Sequence, residues 1–322
     1  MAVYTTVSDD QLADYLAEYD LGEAVAFKGI AEGVENSNYY LETTTGRFIL
    51  TLFEKRANPE DLPYFIKLKQ HLAAKGFACP LPVAAKDGHA LRTLAGRPSV
   101  IITFLQGLSP RVPTGRQCRA LGAGLADLHR AAADYRDKRT NRLGPEHWPA
   151  LWRGRGAQAE TLEQSLYAEI EADLQALATL DAVMATLPQG TIHADLFPDN
   201  VFFLGDRFSG AIDFYFACHG ALAYDLAICL NAWAFEPDGS FNYSKSANLI
   251  AGYQSVRRLE PVEREALPLL ARGAAMRFFL TRLIDWSDTP PTALVKPKDP
   301  LAYAKRLRFH RLARSAEDYG YT

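Results

Sequence analysis

The run Gly190–Ala217, "GTIHADLFPDNVFFLGDRFSGAIDFYFA", constrains the fold more than any other part of the chain. The segments "VFFL" and "GAI" flank "GDRFS", which spells two short strands joined by a tight turn. In such a hairpin Asn200 falls opposite residues 211–213, and directly opposed residues have Cα atoms about 4.5–5.5 Å apart. Asn200 and Asp213 therefore leave the same end of one hairpin. Asp195 lies just before that end. Polar groups at the ends of apolar strands are costly unless something partners them.

The chemistry of the three side chains suggests the partner. An amide carbonyl and a carboxylate are hard oxygen ligands suited to Mg²⁺, which takes its remaining ligands from waters and phosphates. Asp195 is then available to accept or orient the proton of an attacking hydroxyl. Together these are the parts needed for phosphoryl transfer to an alcohol, and they occur in kinase order, His-x-Asp-x-x-x-x-Asn, then a hairpin, then Asp. The neighbouring polar residues read differently. Asp199 is a turn former. His193 is a scaffold residue bonded to backbone, and His129 in "LADLHR" is a packed interior histidine. Asp225 in "AYDLAICL" caps a helix or holds the catalytic turn by its backbone amides.

Around this run the chain changes character. "SDDQ" sets a capping box, Ser8 with Gln11, before a first helix. Strands are expected at 24–30, 38–43 and 47–53, and a helix capped by Asn58, carrying Pro59 in its first turn, ends at Gly76. Further strands are expected at 81–85, 89–94 and 99–104. After "LQGLSP", "TGRQ" caps a helix bearing Leu121, Leu125 and Leu128. Helical patterns then run through 157–186 and 262–286. The reading is α+β: a small antiparallel sheet lobe with one main helix over residues 1–104, then a larger, mainly helical lobe over 105–322, joined near Leu105–Pro110. A chain of 322 residues suits two such lobes. A net charge of -3 gives no footprint for nucleic acid or an anionic membrane. No basic-then-apolar leader and no uninterrupted apolar span are visible, and Cys79, Cys118, Cys218 and Cys229 lack metal-finger spacing, so a cytoplasmic protein with reduced thiols is expected.

"HADLFPDN", "IDFYF" and the two lobes resemble the aminoglycoside phosphotransferase and choline kinase superfamily, which has the protein-kinase-like two-lobed fold. "GVENSNYYLETTTGRFILTLFEKR", "GFACPLPV" and "ALVKPKDPLAYAKRLRFHR" are similar to the kinase-like (Pseudomonas-type) homoserine kinases, across essentially the whole chain. The resemblance implies ATP-dependent phosphorylation of the side-chain hydroxyl of L-homoserine, on the route to threonine, with ATP and Mg²⁺ required. It implies Asp195 as the catalytic aspartate and Asn200 and Asp213 as Mg²⁺ ligands. It further implies a phosphate loop including Gly33, Ser37 and Asn38, and a hinge where the main chain of Thr103, Phe104 and Leu105 meets adenine. One departure stands out. The superfamily lysine on the third strand is replaced by Thr51; Lys55 and Arg56 lie beyond it, and the companion glutamate would be Glu60.

For a zwitterionic acceptor, Arg277 and Arg282 are candidates for the carboxylate, with Asp285 on the same segment. Choline would require an aromatic cage and an aminoglycoside an acidic cleft, and neither is visible. A methylthioribose-like sugar is another alternative acceptor. A metal-dependent hydrolase would use His193, Asp195 and His129 or His219, but the seven histidines are scattered. Thr51 is the one feature that suits a pseudokinase.

Overall fold

The computed structural model describes residues 4–30, 36–54, 58–289 and 297–322. The chain divides into two compact units, residues 1–106 and 107–322.

The first unit is built on a five-stranded antiparallel sheet in the order β1-β2-β3-β5-β4, with β1 Ala24–Gly29, β2 Ser37–Thr43, β3 Gly46–Leu52, β4 Arg92–Leu94 and β5 Arg97–Thr103. Alternation along β2 buries Tyr39 and Leu41, and their counterparts Leu50 on β3 and Ile101 on β5 complete one apolar face. Helix α1 (Asp9–Leu16) lays Leu12, Tyr15 and Leu16 on that core, and its Ser8–Gln11 capping box is formed. The second helix starts later than its punctuation suggests. Asn58 caps a 3₁₀ turn, Pro59–Asp61, and α2 proper runs Leu62–Ala74.

Two expected strands are shorter or absent. Residues 81–85 touch the sheet through an isolated bridge, Pro82 to Ile102, with single bonds from Val83 N–H to Ile101 and from Thr103 N–H to Leu81. Pro80 and Pro82 have no N–H to donate, so a continuous ladder cannot form. Near 89–94 only Arg92–Leu94 is strand, because Asp87 accepts the His89 N–H in a turn just upstream.

The second unit is mainly helical. It contains α3 Gly115–Ala131, α4 Trp148–Trp152, α5 Gly156–Leu162, α6 Leu166–Ala176, α7 Leu180–Thr186, α8 Leu222–Trp233, α9 Tyr243–Gln254, α10 Pro261–Asp288 and α11 Leu301–Leu312. The expected helix over 157–186 is three helices instead. Ser165 adopts a left-handed conformation between α5 and α6, and a turn at Leu177–Thr179 separates α6 from α7. The bends present Glu163, Glu169 and Asp173 to Arg272, Arg308 and Arg311.

Helix α8 is apolar on nearly every side and forms the centre of this unit. Helices α3 and α9 cross almost backbone to backbone: a Cβ added at Gly122 would lie 2.0 Å from the Leu249 carbonyl oxygen, and one at Gly252 would lie 2.0 Å from that of Arg119. Strands β6 (Gln189–Ile192) and β9 (Cys218–Ala221) pair antiparallel, and so do β7 (Val201–Leu204) and β8 (Arg207–Ala211). All four cysteines are buried free thiols, and burial pushes Cys79 up to about 11 and Cys118 and Cys218 up to about 12. No described helix is long and apolar enough to cross a membrane.

Candidate active site

The β7–β8 hairpin turns on Gly205 and Asp206, between Leu204 and Arg207. Beyond its open end the Ile212 N–H donates to the Asn200 carbonyl at 2.9 Å, so Asn200 and Asp213 emerge from the same end of the ladder. Asp213 takes a left-handed backbone, φ 62°, a conformation that aspartate adopts more readily than most residues. Between β6 and the hairpin, the turn His193–Asn200 also carries a left-handed residue, Ala194, at φ 62°. An alanine there is strained and needs the surroundings to hold it.

Buried Asp225, in the first turn of α8, is the main restraint. Its Oδ2 accepts the His193 N–H at 2.7 Å, its Oδ1 accepts the Ala194 N–H at 2.9 Å, and His129 Nε2 lies 3.2 Å from Oδ2. Burial alone would raise the Asp225 pKa. The contact with His129 and the bond from the His193 backbone amide more than offset this, holding the carboxyl below its ordinary value. Of the two roles expected for Asp225, the structure selects the one that holds the turn.

His193 is equally constrained. Its Nε2 lies 2.9 Å from the Ile212 carbonyl and so carries the proton, leaving Nδ1 to accept the Asp195 N–H at 3.3 Å. Burial lowers its pKa, so the ring stays neutral. It is the scaffold residue the sequence suggested. Trp233 Nε1 fastens the Leu196 carbonyl at 2.8 Å.

Within this frame Asp195 and Asn200 meet. The Asn200 amide nitrogen donates to the Asp195 carbonyl oxygen at 2.8 Å and to its carboxylate Oδ2 at 3.3 Å. That fixes the amide so that Asn200 Oδ1, an acceptor, faces away from Asp195. On the other side stands Arg277 of α10, 2% exposed, which donates through Nη1 to the Ala194 carbonyl and places Nη2 4.0 Å from Asp195 Oδ1. Its guanidinium also packs on the rings of Phe278 and Phe216, at 4.5 and 5.5 Å. The sequence offered Arg277 as a fork for a substrate carboxylate. The structure instead directs it onto the turn, 82 residues upstream of it.

The residues expected to meet nucleotide lie in the first unit. Gly33, Lys55 and Arg56 fall outside the described residues. Ser37 is fully buried; its hydroxyl accepts the Tyr4 and Thr5 N–H groups at 2.8 and 3.0 Å and donates to Glu54 at 2.7 Å. The hydroxyl is therefore a structural anchor, which leaves only the main chain of Ser37 for the phosphate role. Asn38 sits opposite Thr51 in the β2–β3 ladder and accepts the Thr51 hydroxyl at 2.8 Å. At the position where the superfamily carries a lysine, this chain has a buried hydroxyl paired to an amide. Glu60 is exposed on the 3₁₀ turn, not on the helix. In the main chain expected to meet adenine, the Thr103 N–H donates to Leu81 at 2.9 Å and the Phe104 N–H to Arg47 at 3.2 Å. Leu105 is the one whose N–H these sheet bonds leave over.

The histidines a metal-dependent hydrolase would need are engaged elsewhere. His193 holds backbone, and His129 bridges Asp225 and the Tyr253 hydroxyl, the latter at 2.9 Å. Among the described residues no three His, Cys, Asp or Glu side chains gather to hold an ion.

A strained turn presenting a carboxylate, beside a hairpin ending in Asn and Asp and set in a helical unit that follows a five-stranded sheet, is the arrangement of a phosphotransferase. The chain belongs to the phosphotransferase enzyme family, which it matches over residues 26–259. It is 65% identical to a homoserine kinase of Hyphomonas neptunium, an alignment covering 99% of this chain and all of that one. A homoserine kinase of Azorhizobium caulinodans is 57% identical over 99% of both chains. Among solved structures, an amicoumacin kinase in complex with AMP-PNP, Ca²⁺ and Ami superposes with a TM-score of 0.66 at 16% identity, over 94% of this chain and 92% of that one. That likeness establishes the two-lobed kinase-like fold expected from the sequence.

Proposed function

We propose that the protein is an ATP-dependent homoserine kinase that phosphorylates the side-chain hydroxyl of L-homoserine, with Asp195 as the group that receives the hydroxyl proton. The observation that carries the chemistry is the bonded pair Asp195–Asn200, held at the hairpin end where Asp213 also emerges. The acceptor follows from the full-length relatives named homoserine kinase.

In this mechanism Asp195, whose side chain is 17% exposed, orients the homoserine hydroxyl and takes its proton as the bond to phosphorus forms. Arg277 keeps the turn in register and sets a positive charge beside the carboxylate. Asn200 Oδ1 and the Asp213 carboxylate are the hard oxygen donors that would hold Mg²⁺, and the Asn200 side chain already has its nitrogen turned the other way. When bound, that ion supplies charge neutralisation on the phosphates. The main chain of Leu105 is the group we assign to adenine, and Asn38, through its amide, to the phosphates.

The test is direct. Purified protein with ATP, Mg²⁺ and L-homoserine should yield ADP and a phosphomonoester of homoserine, resolved by ³¹P NMR, and chelation of Mg²⁺ should abolish it. Asp195→Asn should lower kcat by about 10³-fold while ATP still binds in calorimetry. ADP release that is the same with and without homoserine overturns the reading.

A further inference from the structure

A buried guanidinium needs a counter-charge, and most of the arginines around α10 and α11 have one. Arg257 meets Glu263 at 3.0 Å, Arg272 and Arg311 share Asp173, and Arg308 meets Glu169 at 2.9 Å. Arg282 on α10 and Arg306 on α11 break this pattern. Among the described residues neither has a carboxylate within salt-bridge distance. Arg282 donates only to the Asp299 backbone carbonyl, at 3.2 Å, and Arg306 Nη1 is buried with no hydrogen-bond acceptor among the described residues.

The two cations also lie together. Their guanidinium carbons sit 4.4 and 4.2 Å from the centre of one ring, Tyr303. Burial lowers the Arg282 pKa and the charge of Arg306 pushes it the same way, while Tyr303, Asp299 and Asp199 pull against them. Two like charges, partly desolvated and with no carboxylate in salt-bridge contact among the described residues, make a local positive potential that favours an anion. The place is informative. Arg277, whose Nη2 lies 4.0 Å from Asp195 Oδ1, packs its guanidinium 4.5 Å from the centre of the Phe278 ring. Phe278, the residue after Arg277, packs on Tyr303 with ring centres 5.4 Å apart.

We propose that Arg282 and Arg306 form the receptor for the α-carboxylate of the amino-acid acceptor whose hydroxyl meets Asp195. The proposal rests on the homoserine reading above. Homoserine is short, with single bonds of about 1.5 Å placing its carboxylate roughly 5 Å from its hydroxyl, so the receptor must stand close to Asp195. Guanidinium groups match a carboxylate through paired N–H donors. Arg277 cannot serve, since it is already turned onto Ala194 and Asp195. A phosphate group could use the same donors, and the experiment separates the two anions.

Steady-state kinetics of Arg282→Gln and Arg306→Gln, with L-homoserine and with 3-aminopropan-1-ol, which is homoserine without its carboxylate, make the test. The KM for homoserine should rise about 100-fold with kcat and the KM for ATP little changed, and kcat/KM for 3-aminopropan-1-ol should stay at the wild-type level. Arg282→Lys and Arg306→Lys should recover part of the loss. Equal loss on both alcohols overturns the receptor, and a rise confined to the KM for ATP assigns the site to phosphate instead. Because Arg306 also stacks on Phe235, a glutamine variant that melts early is set aside for a second measurement. Wild-type enzyme should prefer homoserine to the aminopropanol by at least about 100-fold, and no preference overturns the proposal. Wild-type turnover of homoserine with unaffected variants rejects the receptor alone, whereas no turnover rejects the kinase reading as well.

Discussion

Arg277 shows how one residue can act through another. It is almost wholly buried, and it reaches both the carbonyl of strained Ala194 and the carboxylate of Asp195. Arg277→Met removes the donor and the charge together. We expect kcat to fall about 100-fold, as misplacement of a reacting group by about 1 Å can do, with KM for ATP and homoserine within a few-fold of wild type. Arg277→Lys keeps the charge without the fork and should lie between. A uniform loss of folded enzyme would leave kcat per folded molecule unchanged, so stopped-time kinetics normalised to active sites distinguish the cases. At this scale much of the site was legible. Asp195, Asn200 and Asp213 stood out because polar groups interrupt apolar strands, and the structure puts Asp195 and Asn200 in one hydrogen-bonded turn. The partners were less legible: Asp225, offered for two roles, and Arg277, offered for another, lie 30 and 82 residues from Asp195, and no local pattern encodes such pairings. Nor did the phosphate-loop motif reveal that Ser37 would use its hydroxyl to tie down residues 4 and 5.

The crossing of α3 and α9 carries the matching lesson for elements. His129 on α3 and Tyr253 on α9 are bonded to each other, and His129 passes the contact on to Asp225. The helices approach this closely because Gly122 and Gly252 face the opposite backbone. Gly122→Ala would gain about 1 kcal/mol of helix propensity yet force the backbones apart, at a cost of roughly 1–3 kcal/mol or more for overpacking. The net expectation is lower stability in urea and weakened activity, because the separation loosens the His129–Asp225 brace. A variant as stable as wild type would show that the helices can part freely. Capping boxes at Ser8 and Thr114 were readable because their chemistry is local. The breaks at Ser165 and Thr179 were not, since they serve carboxylates that answer arginines 99 to 145 residues later.

For the molecule as a whole, acid sensitivity follows from buried histidine. His310 joins α8, α11 and the 316–319 turn: Asn231 gives both amide hydrogens to Ala227 and Ala271, so its Oδ1 accepts from His310 Nε2, and His310 Nδ1 accepts from Tyr319. Burial holds the His310 pKa down to about 3, against an ordinary value of 6.5. The unfolded chain therefore takes up a proton below about pH 6.5 that the folded chain refuses, and stability falls as pH drops from there toward 3, by up to about 1.4 kcal/mol per pH unit for one proton. Melting temperature against pH should show this limb. His310→Gln should start less stable at neutral pH but lose stability less steeply on acidification; an unaltered slope would count against the assignment. The buried thiols give a way to watch the two units separately. Cys79 belongs to the first unit and Cys118, Cys218 and Cys229 to the second, and every one is shielded with its thiolate disfavoured. An alkylating reagent should therefore mark each cysteine only when its surroundings open, so the order in which peptides gain mass becomes a clock that reports which half of the enzyme lets go first.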